Sequence, residues 1–167
     1  MSASRAKKRV LIVDDDKNQA LLLRSLMQAN GYKALLAGSK PEGVKMAERE
    51  KPSCIILNCM MCGGEEGFCL YRHLKSEAQF RDVPVIMLCS VSRDILFRYR
   101  SMAGAFGGPQ APEPEAFLKS PPDAVVLVNT VGRLTGSEPS AAAEPVAENT
   151  DNAAPSPKGM GPPRQLP

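Results

Sequence analysis

The sequence predicts an α/β fold, a doubly wound sheet of five parallel strands with helices on both faces. Short apolar runs alternate along the chain with longer segments whose apolar residues recur at helical spacing. The runs at 10–13 and 54–57 contain only apolar residues, which is typical of parallel strands buried on both faces. Strands and helices that alternate through short loops form a parallel sheet by right-handed crossovers.

Five strand–helix units are predicted along the chain. The strands are expected at 9–13, 32–37, 54–58, 83–89 and 116–118, and the helices at 17–30, 40–50, 66–76, 92–102 and 123–134. End signals mark the first two helices. Asp16 is a suitable N-terminal cap and Gly31 a C-terminal one. Ser39 and Glu42 form a capping box that contains a proline near the first helical position.

The later elements follow from apolar runs and the breaks between them. The third strand begins after Pro52 and ends at Asn58, where the apolar run stops. Pro84 lies near the start of the fourth strand, where a missing hydrogen-bond donor is tolerated. An inserted loop at 107–115, rich in glycine and proline, precedes the last strand.

The chain of 167 residues is expected to form one folded domain at 7–135. Residues 1–6 are predicted to be a flexible N-terminus, and residues 136–167 a disordered tail rich in alanine and proline. The tail has no aromatic residue and no periodicity, so it cannot bury enough apolar surface to offset its chain entropy. Because no second folded domain is expected, neither a DNA-binding nor an enzymatic output is predicted.

Composition and charge exclude several classes of protein. A net charge of +3 is too small to indicate nucleic-acid binding. No apolar run approaches the roughly 20 residues that cross a membrane, so no membrane insertion is expected. The N-terminus lacks the apolar core of a signal peptide. A cytoplasmic location is therefore predicted, with the five cysteines as reduced thiols.

Several motifs occur in a fixed order along the chain. They are Val-Leu-Ile-Val-Asp-Asp-Asp, Asn-Gly-Tyr, Lys-Pro-Ser-Cys-Ile-Ile-Leu-Asn-Cys-Met-Met, Leu-Lys-Ser, Val-Pro-Val-Ile-Met-Leu and Phe-Leu-Lys-Ser-Pro. Together they resemble the receiver domain of response regulators, which has the CheY-like fold. The resemblance covers roughly residues 7–135, and it implies a role in two-component-type signalling in bacteria.

The resemblance implies a site at the carboxyl ends of the strands. Asp14 and Asp15 match two acids that hold a magnesium ion in this family. Asn58 stands where an aspartate accepts a phosphoryl group from a histidine kinase. Cys89 stands where a threonine or serine donates a hydrogen bond to that group. The position of the phosphoacceptor is therefore occupied by an amide.

Two further switch positions lie on and after the fifth strand. Phe117 matches an aromatic residue that reports the switch in the family. Ser120 stands before Pro121, where the family has a lysine that pairs with the phosphoryl group. Lys119 is not expected to replace that lysine, because adjacent strand residues face opposite sides of a sheet. The resemblance also implies a cis peptide bond before Pro121.

These departures predict a degenerate receiver, or pseudo-receiver. A neutral amide is a poor nucleophile and cannot form the acyl phosphate that a carboxylate forms. Asn58 also removes one anionic magnesium ligand, so no cofactor is expected, with weak Mg²⁺ binding at Asp14 and Asp15 left open. We expect no catalytic residue and no enzyme activity. The predicted function is that of a stand-alone, phosphorylation-independent adaptor for protein interactions.

A second function class remains open. Cys59 and Cys62 form a C-x-x-C motif, and the fold would bring Cys89 close to it, which suggests a thiol- or metal-responsive sensor. Against this, cysteine is also a common small core residue, and Cys54 and Cys69 are predicted to lie in the core. An active phosphoacceptor at Asp14 or Asp15 is a weaker third alternative, because those acids are needed for the metal.

The predicted partner surface lies on the fourth helix. It consists of Phe97, Arg98 and Tyr99, where aromatic residues stand among basic ones. Receivers usually meet their partners on this face, so the partners are expected to be proteins of a signalling pathway. A homodimer is left open.

Overall fold

A computed structural model describes residues 6–63, 66–90 and 111–137. The strands are β1 (Arg9–Val13), β2 (Lys33–Ala37), β3 (Cys54–Asn58), β4 (Val85–Cys89) and β5 (Ala116–Lys119). The helices are α1 (Lys17–Ala29), α2 (Lys40–Glu50), α3 (Glu66–Ser76) and α4 (Ala124–Thr135), with a 3-10 turn at Met61–Gly63. The predicted helix at 92–102, its partner surface (Phe97, Arg98 and Tyr99), residues 107–110 of the predicted loop and nearly all of the predicted tail lie outside the described residues.

The five strands form one parallel sheet in the order β2-β1-β3-β4-β5. Along the chain, β2 is added on one side of β1, and β3, β4 and β5 are added on the other side, as in a doubly wound fold. The pairing places Leu57 beside both Val13 and Met87, at the centre of the sheet. The predicted fold class is confirmed.

Helices cover both faces of the sheet because side chains alternate along each strand. One face packs against α2 and α3, and its strand residues are Leu11, Val13, Ile55, Leu57, Val85 and Met87. The other face packs against α1 and α4, and its strand residues are Val10, Ile12, Cys54, Ile56, Ile86 and Leu88. All are at most 1% exposed, so the sheet is a double-sided core and chemistry is confined to its edges.

The helix ends largely follow their sequence signals. Asp16 caps α1 by accepting hydrogen bonds from the backbone N–H groups of Asn18 and Gln19. Ser39 accepts from the N–H of Glu42 at the start of α2. β4 begins at Val85 rather than at the predicted residue 83, because the N–H of Val83 bonds within the preceding turn. Within the described ranges no helix is both long and apolar enough to cross a membrane.

An ion pair between a buried lysine and an exposed glutamate ties the end of α3 to the starts of β4 and β5. Lys75 is only 1% exposed at its side chain, and its Nζ lies 2.7 Å from Glu115 Oε1. The same ammonium donates to the carbonyls of Arg81 and Val83. Glu115 accepts in turn from the N–H of Val85 at 2.7 Å. Each charge thus has partners that offset its loss of hydration.

Candidate functional site

The candidate site lies where β1, β3, β4 and β5 end. Carboxyl ends of parallel strands share one edge of a sheet, and ligands of open α/β sheets bind outside that edge. Asp14 follows β1 and Asn58 ends β3. Cys89 ends β4, and Ser120 follows β5. The fold therefore brings together the positions that the resemblance singled out.

The Asp14 carboxylate is the centre of this site. It is 3% exposed, so each of its oxygens needs a partner inside the protein. Oδ1 accepts from Asn58 Nδ2 at 2.9 Å and from the Asp16 N–H at 3.0 Å. Oδ2 accepts from Gln19 Nε2 at 2.7 Å. Three neutral donors thus solvate the buried charge, in the place where a cation or an ammonium group would otherwise do so.

The Asn58 amide is oriented by its two neighbours. Its Nδ2 faces the Asp14 carboxylate, which can only accept, and its Oδ1 accepts from the Met60 N–H at 3.0 Å. An ionised aspartate could make the second of these bonds but not the first. Asn58 is therefore fitted to its neighbour as an amide, with its donor directed to Asp14 and its acceptor to the backbone.

Gln19 connects the acidic end of the site to β5, and sequence reasoning missed it. Its Nε2 donates to Asp14, and Ser120 Oγ donates to its Oε1 at 3.2 Å. Asp16 and Gln19 have the spacing of a capping box, which was the available signal. The Gln19 side chain, however, reaches back to Asp14 instead of to the Asp16 backbone. A hydrogen-bonded chain, Asn58–Asp14–Gln19–Ser120, results.

The end of β5 has the predicted orientation. Ser120 is held beside Cys89 by a hydrogen bond from its N–H to the Cys89 carbonyl at 2.8 Å. Lys119 is exposed, and no ion pair joins it to Asp14 or Asp15 in the part of the chain described. The Ser120–Pro121 peptide bond is cis, as expected. Phe117 pairs with Met87 and is partly buried against the α2–α3 side of the core.

Asp15 is exposed and accepts a hydrogen bond from the loop after β3. Its Oδ2 accepts from the Cys62 N–H at 2.9 Å. A magnesium ion here would compete with these hydrogen bonds, because both oxygens of Asp14 and the Asn58 Oδ1 already accept from protein donors. Across 6–63, 66–90 and 111–137, no three His, Cys, Asp or Glu side chains are placed to share a metal ion.

Cys59 and Cys89 are joined by a disulfide bond, which corrects the expectation that all five cysteines are reduced. Cys59 directly follows β3, and its N–H donates to the Leu88 carbonyl at 2.9 Å. This pairing sets the Cys59 and Cys89 Cα atoms 5.4 Å apart, within the normal range for a disulfide. Both residues are fully buried.

Cys62 does not join the pair, so the predicted cluster of three thiols is reduced to two. It is exposed, in a left-handed backbone conformation with φ 48°. A hydrogen bond to Glu66 raises the pKa of the Cys62 thiol, with smaller contributions from burial and from the charges of Glu66 and Asp15. Its thiolate is therefore disfavoured at neutral pH.

The remaining two cysteines differ in environment. Cys54 is buried in β3 as predicted, and burial raises its pKa to about 12, which makes it unreactive. The prediction that Cys69 lies in the core was wrong. Phe68 and Leu70 occupy the buried side of α3, and Cys69 between them is turned to the surface.

Gly67 allows α3 to approach the site closely. A Cβ atom at this position would lie 2.3 Å from the Asn58 carbonyl oxygen and 2.6 Å from that of Cys59. Contacts this short with backbone atoms are not relieved by rotating a side chain. The first turn of α3 therefore packs directly on the end of β3, without an intervening side chain.

Comparisons with known proteins agree with this geometry. The sequence matches the model of the response regulator receiver domain over residues 10–107. Protein PilH of Pseudomonas aeruginosa is 27% identical over 126 residues, which cover 75% of this chain and 96% of PilH. Response regulator PleD of Caulobacter vibrioides is 32% identical over 127 residues, but the match spans only 26% of PleD.

A solved structure gives the same result for the fold. The signal receiver domain of a signal transduction histidine kinase from Syntrophus aciditrophicus superposes with a TM-score of 0.64 and is 27% identical. The superposition covers 77% of this chain and 90% of that domain.

Proposed function

Because the chain belongs to the response regulator receiver domain family, we propose that it is a pseudo-receiver, a phosphorylation-independent adaptor in two-component-type signalling. Its place in that signalling class follows from the family. The absence of phosphoryl transfer and the adaptor role are the proposal. We assign the receiver to residues 7–135, since β5 and α4 complete the sheet and its second face beyond the matched residues.

One observation carries the proposal, the hydrogen bond from Asn58 Nδ2 to Asp14 Oδ1 at 2.9 Å. The amide at the end of β3 has no anionic oxygen to attack phosphorus. Its nitrogen is directed at Asp14 as a donor, so the residue satisfies the acidic pocket internally. In this arrangement Asn58 takes over the solvation of Asp14, and the pocket needs neither a phosphoryl group nor a cation to be complete.

The same network supports constitutive partner binding. In an active receiver, phosphorylation shifts a conformational equilibrium because it interacts differently with the two states. Here the ends of β1, β3 and β5 are already joined through Asn58, Asp14, Gln19 and Ser120. Because no phosphoryl group can form to change these bonds, phosphorylation does not move the equilibrium and the partner face is presented without it.

The proposal extends to partners and cofactors. We propose signalling proteins as the partners, bound through Phe97, Arg98 and Tyr99, with no nucleic acid and with homodimerisation as an alternative contact. The cytoplasm is the proposed location. We further propose that the protein is not an enzyme and that Mg²⁺ binds Asp14 and Asp15 at most weakly, since binding would have to break existing hydrogen bonds.

The test is exposure to a small phosphodonor. The full chain is incubated with acetyl phosphate and Mg²⁺, trapped with borohydride and examined by intact-mass and peptide mass spectrometry. We expect no phosphoryl adduct. Asn58→Asp is the matched variant, because it places a carboxylate at the end of β3 and leaves the rest of the chain unchanged. A labile single phosphate on Asp14 or Asp15 of the unaltered chain would refute the proposal.

A second candidate function is supported by a separate observation, the bond between Cys59 and Cys89. Of a thiol-responsive and a metal-responsive sensor, it supports the thiol-responsive one, because these two sulfur atoms meet at the proposed site. The metal-responsive alternative has less support, because no three His, Cys, Asp or Glu side chains of the described residues are placed to share a metal ion. Thiol titration and metal analysis of the purified chain separate the sensor from the adaptor.

A further inference from the structure

We propose that Cys59 and Cys89 form a thiol–disulfide exchange site that controls how the loop after β3 is attached to the end of β4. This inference rests on the proposed function, because it assigns the regulation of the same site to a redox reaction in place of phosphorylation. The chemical class of the reactant is a small or protein dithiol in one direction and a peroxide in the other.

The bond connects two segments that the site needs. Residues 59–63 form the loop over the acidic pair, where the Met60 N–H bonds Asn58 and the Cys62 N–H bonds Asp15. Cys89 is the last residue of β4 and leads into the segment 91–110. The proposed partner surface belongs to that segment. The disulfide therefore joins the loop at the site directly to the strand end that precedes the partner surface.

The fold does not depend on the sulfur bond for its register. The pairing of β3 with β4 runs from Ile55 to Asn58, and the Cys59 N–H continues it by bonding the Leu88 carbonyl. The Cys89 carbonyl is held separately by the N–H of Ser120. Reduction leaves these backbone bonds in place, and a buried thiol is accommodated as a small apolar group. Two states of one fold result, with and without the cross-link.

The pair is buried, but it borders an exposed turn. Met60 is 38% exposed and Cys62 is exposed, so opening the short loop uncovers Cys59. Cys62 is a free thiol outside the bond, and its substitution tests whether it takes part in the exchange.

The dithiol supplies the two electrons that reduce the disulfide bond. Its thiolate attacks Cys59 Sγ, the Sγ–Sγ bond breaks, and its electron pair leaves with Cys89 Sγ, which takes up a proton. The second thiolate of the reagent attacks the mixed disulfide and releases Cys59, so the reagent ends as a cyclic disulfide. In reverse, one thiolate attacks an oxygen of the peroxide, the O–O bond breaks, and a sulfenic acid forms while the rest of the peroxide leaves as water or an alcohol. The sulfur of the other thiol then attacks the sulfenic sulfur, and the hydroxyl group leaves with the thiol proton as water.

The experiment measures the bond and its effect on the full chain. Under denaturing conditions, alkylation should block three thiols after peroxide treatment, at Cys54, Cys62 and Cys69, and all five after dithiothreitol. Hydrogen exchange of the native protein should become about tenfold faster at the Met60 and Cys62 amides on reduction. The amides in the middle of β3 and β4 should not change.

Variants separate the roles of the cysteines. Cys59→Ser/Cys89→Ser should exchange at the fast rate with or without reductant. Cys62→Ser/Cys69→Ser is the matched control, with the same number of thiols removed, and should respond as the unaltered chain does. Because the unaltered chain is compared in two redox states, the result does not depend on how well a variant folds.

Two outcomes would overturn the inference. One is the absence of a Cys59–Cys89 cross-linked peptide after peroxide treatment. The other is a cross-linked peptide with identical exchange of the loop in both redox states, which would make the bond a static cross-link. Neither outcome affects the proposed function, which fails only if acetyl phosphate phosphorylates the unaltered chain. The two failures are therefore distinguishable.

Discussion

The Asn58→Asp variant tests the electrostatics of the site. In the unaltered chain, Asn58 Nδ2 donates to Asp14 Oδ1 at 2.9 Å. The substitution converts this hydrogen bond into a contact between two carboxylates, with charge centres about 4 Å apart. At an effective dielectric constant of about 20, the repulsion is about 4 kcal/mol. Loss of a hydrogen bond to a charged group adds about 1.5–3 kcal/mol, and side-chain rotation offsets part of the total.

We therefore expect Asn58→Asp to lower the free energy of unfolding by about 4 kcal/mol in the presence of EDTA. Excess Mg²⁺ should restore most of this loss, because the third carboxylate both requires and ligates a cation. The measurement is urea unfolding followed by circular dichroism, with and without Mg²⁺. Calorimetry of Mg²⁺ binding should show tighter binding by Asn58→Asp than by the unaltered chain.

Asn58→Ala is the control, because it removes the same hydrogen bond without adding a charge. It should cost about 1–3 kcal/mol and show no dependence on Mg²⁺. If Asn58→Asp is as stable as the unaltered chain in EDTA, Asp14 is not held as described. Equal Mg²⁺ affinity of the two proteins would show that the site is misplaced.

Three other perturbations test separate parts of the structure. Lys75→Met should lower the free energy of unfolding by about 1–3 kcal/mol in urea, because it removes the donor of Glu115 and of the two backbone carbonyls that Lys75 binds. The exposed pair made by Lys33 is the control, and Lys33→Met should cost less than about 1 kcal/mol. Glu66→Gln should lower the pKa of Cys62 and speed its alkylation at neutral pH, and an unchanged rate would contradict the cause assigned to the shift. Reduction of the disulfide should cost about 3.6 kcal/mol of stability in urea, given its sequence separation of 30, and equal midpoints would argue against the bond.

The fold was largely predictable because each strand carries its own signal. The apolar run at 54–57 is buried on both faces and lies between two neighbours. Asp16 and Ser39 fix the starts of α1 and α2 through short-range hydrogen bonds. The boundary error at β4 arose because Val83 is apolar but is bonded within a turn. Local signals of this kind do not depend on distant residues.

The site was less predictable because its contacts cross between elements. The position of Asn58 followed from the end of the third strand, and those of Asp14 and Ser120 from the resemblance to receiver domains. The partner of Asp14 on α1, Gln19, did not follow, because a long side chain can reach several acceptors. The Cys59–Cys89 bond depends on the alignment of β3 with β4. Neither segment of sequence alone contains the information that fixes this alignment.

The exposed position of Cys69 illustrates a third kind of error. An apolar residue within an amphipathic helix is assigned to the core or the surface by its angle around the helix. Phe68 and Leu70 lie at opposite margins of the buried side, about 200° apart around the helix, and Cys69 lies between them in sequence but outside that arc. Composition alone does not fix this angle.

Gly67 limits how far the loop after β3 can move toward α3. The helix backbone already touches the carbonyl groups at the end of β3, where even a methyl group would lie 2.3 Å from an oxygen atom. The loop consequently has no free travel toward α3, and on its inner side Met61 is fully buried. Approach to α3 is therefore blocked at the end of β3, whereas the exposed Met60 and Cys62 leave the outer side of the loop open to solvent. A loop freed at this edge moves away from the helix more easily than toward it.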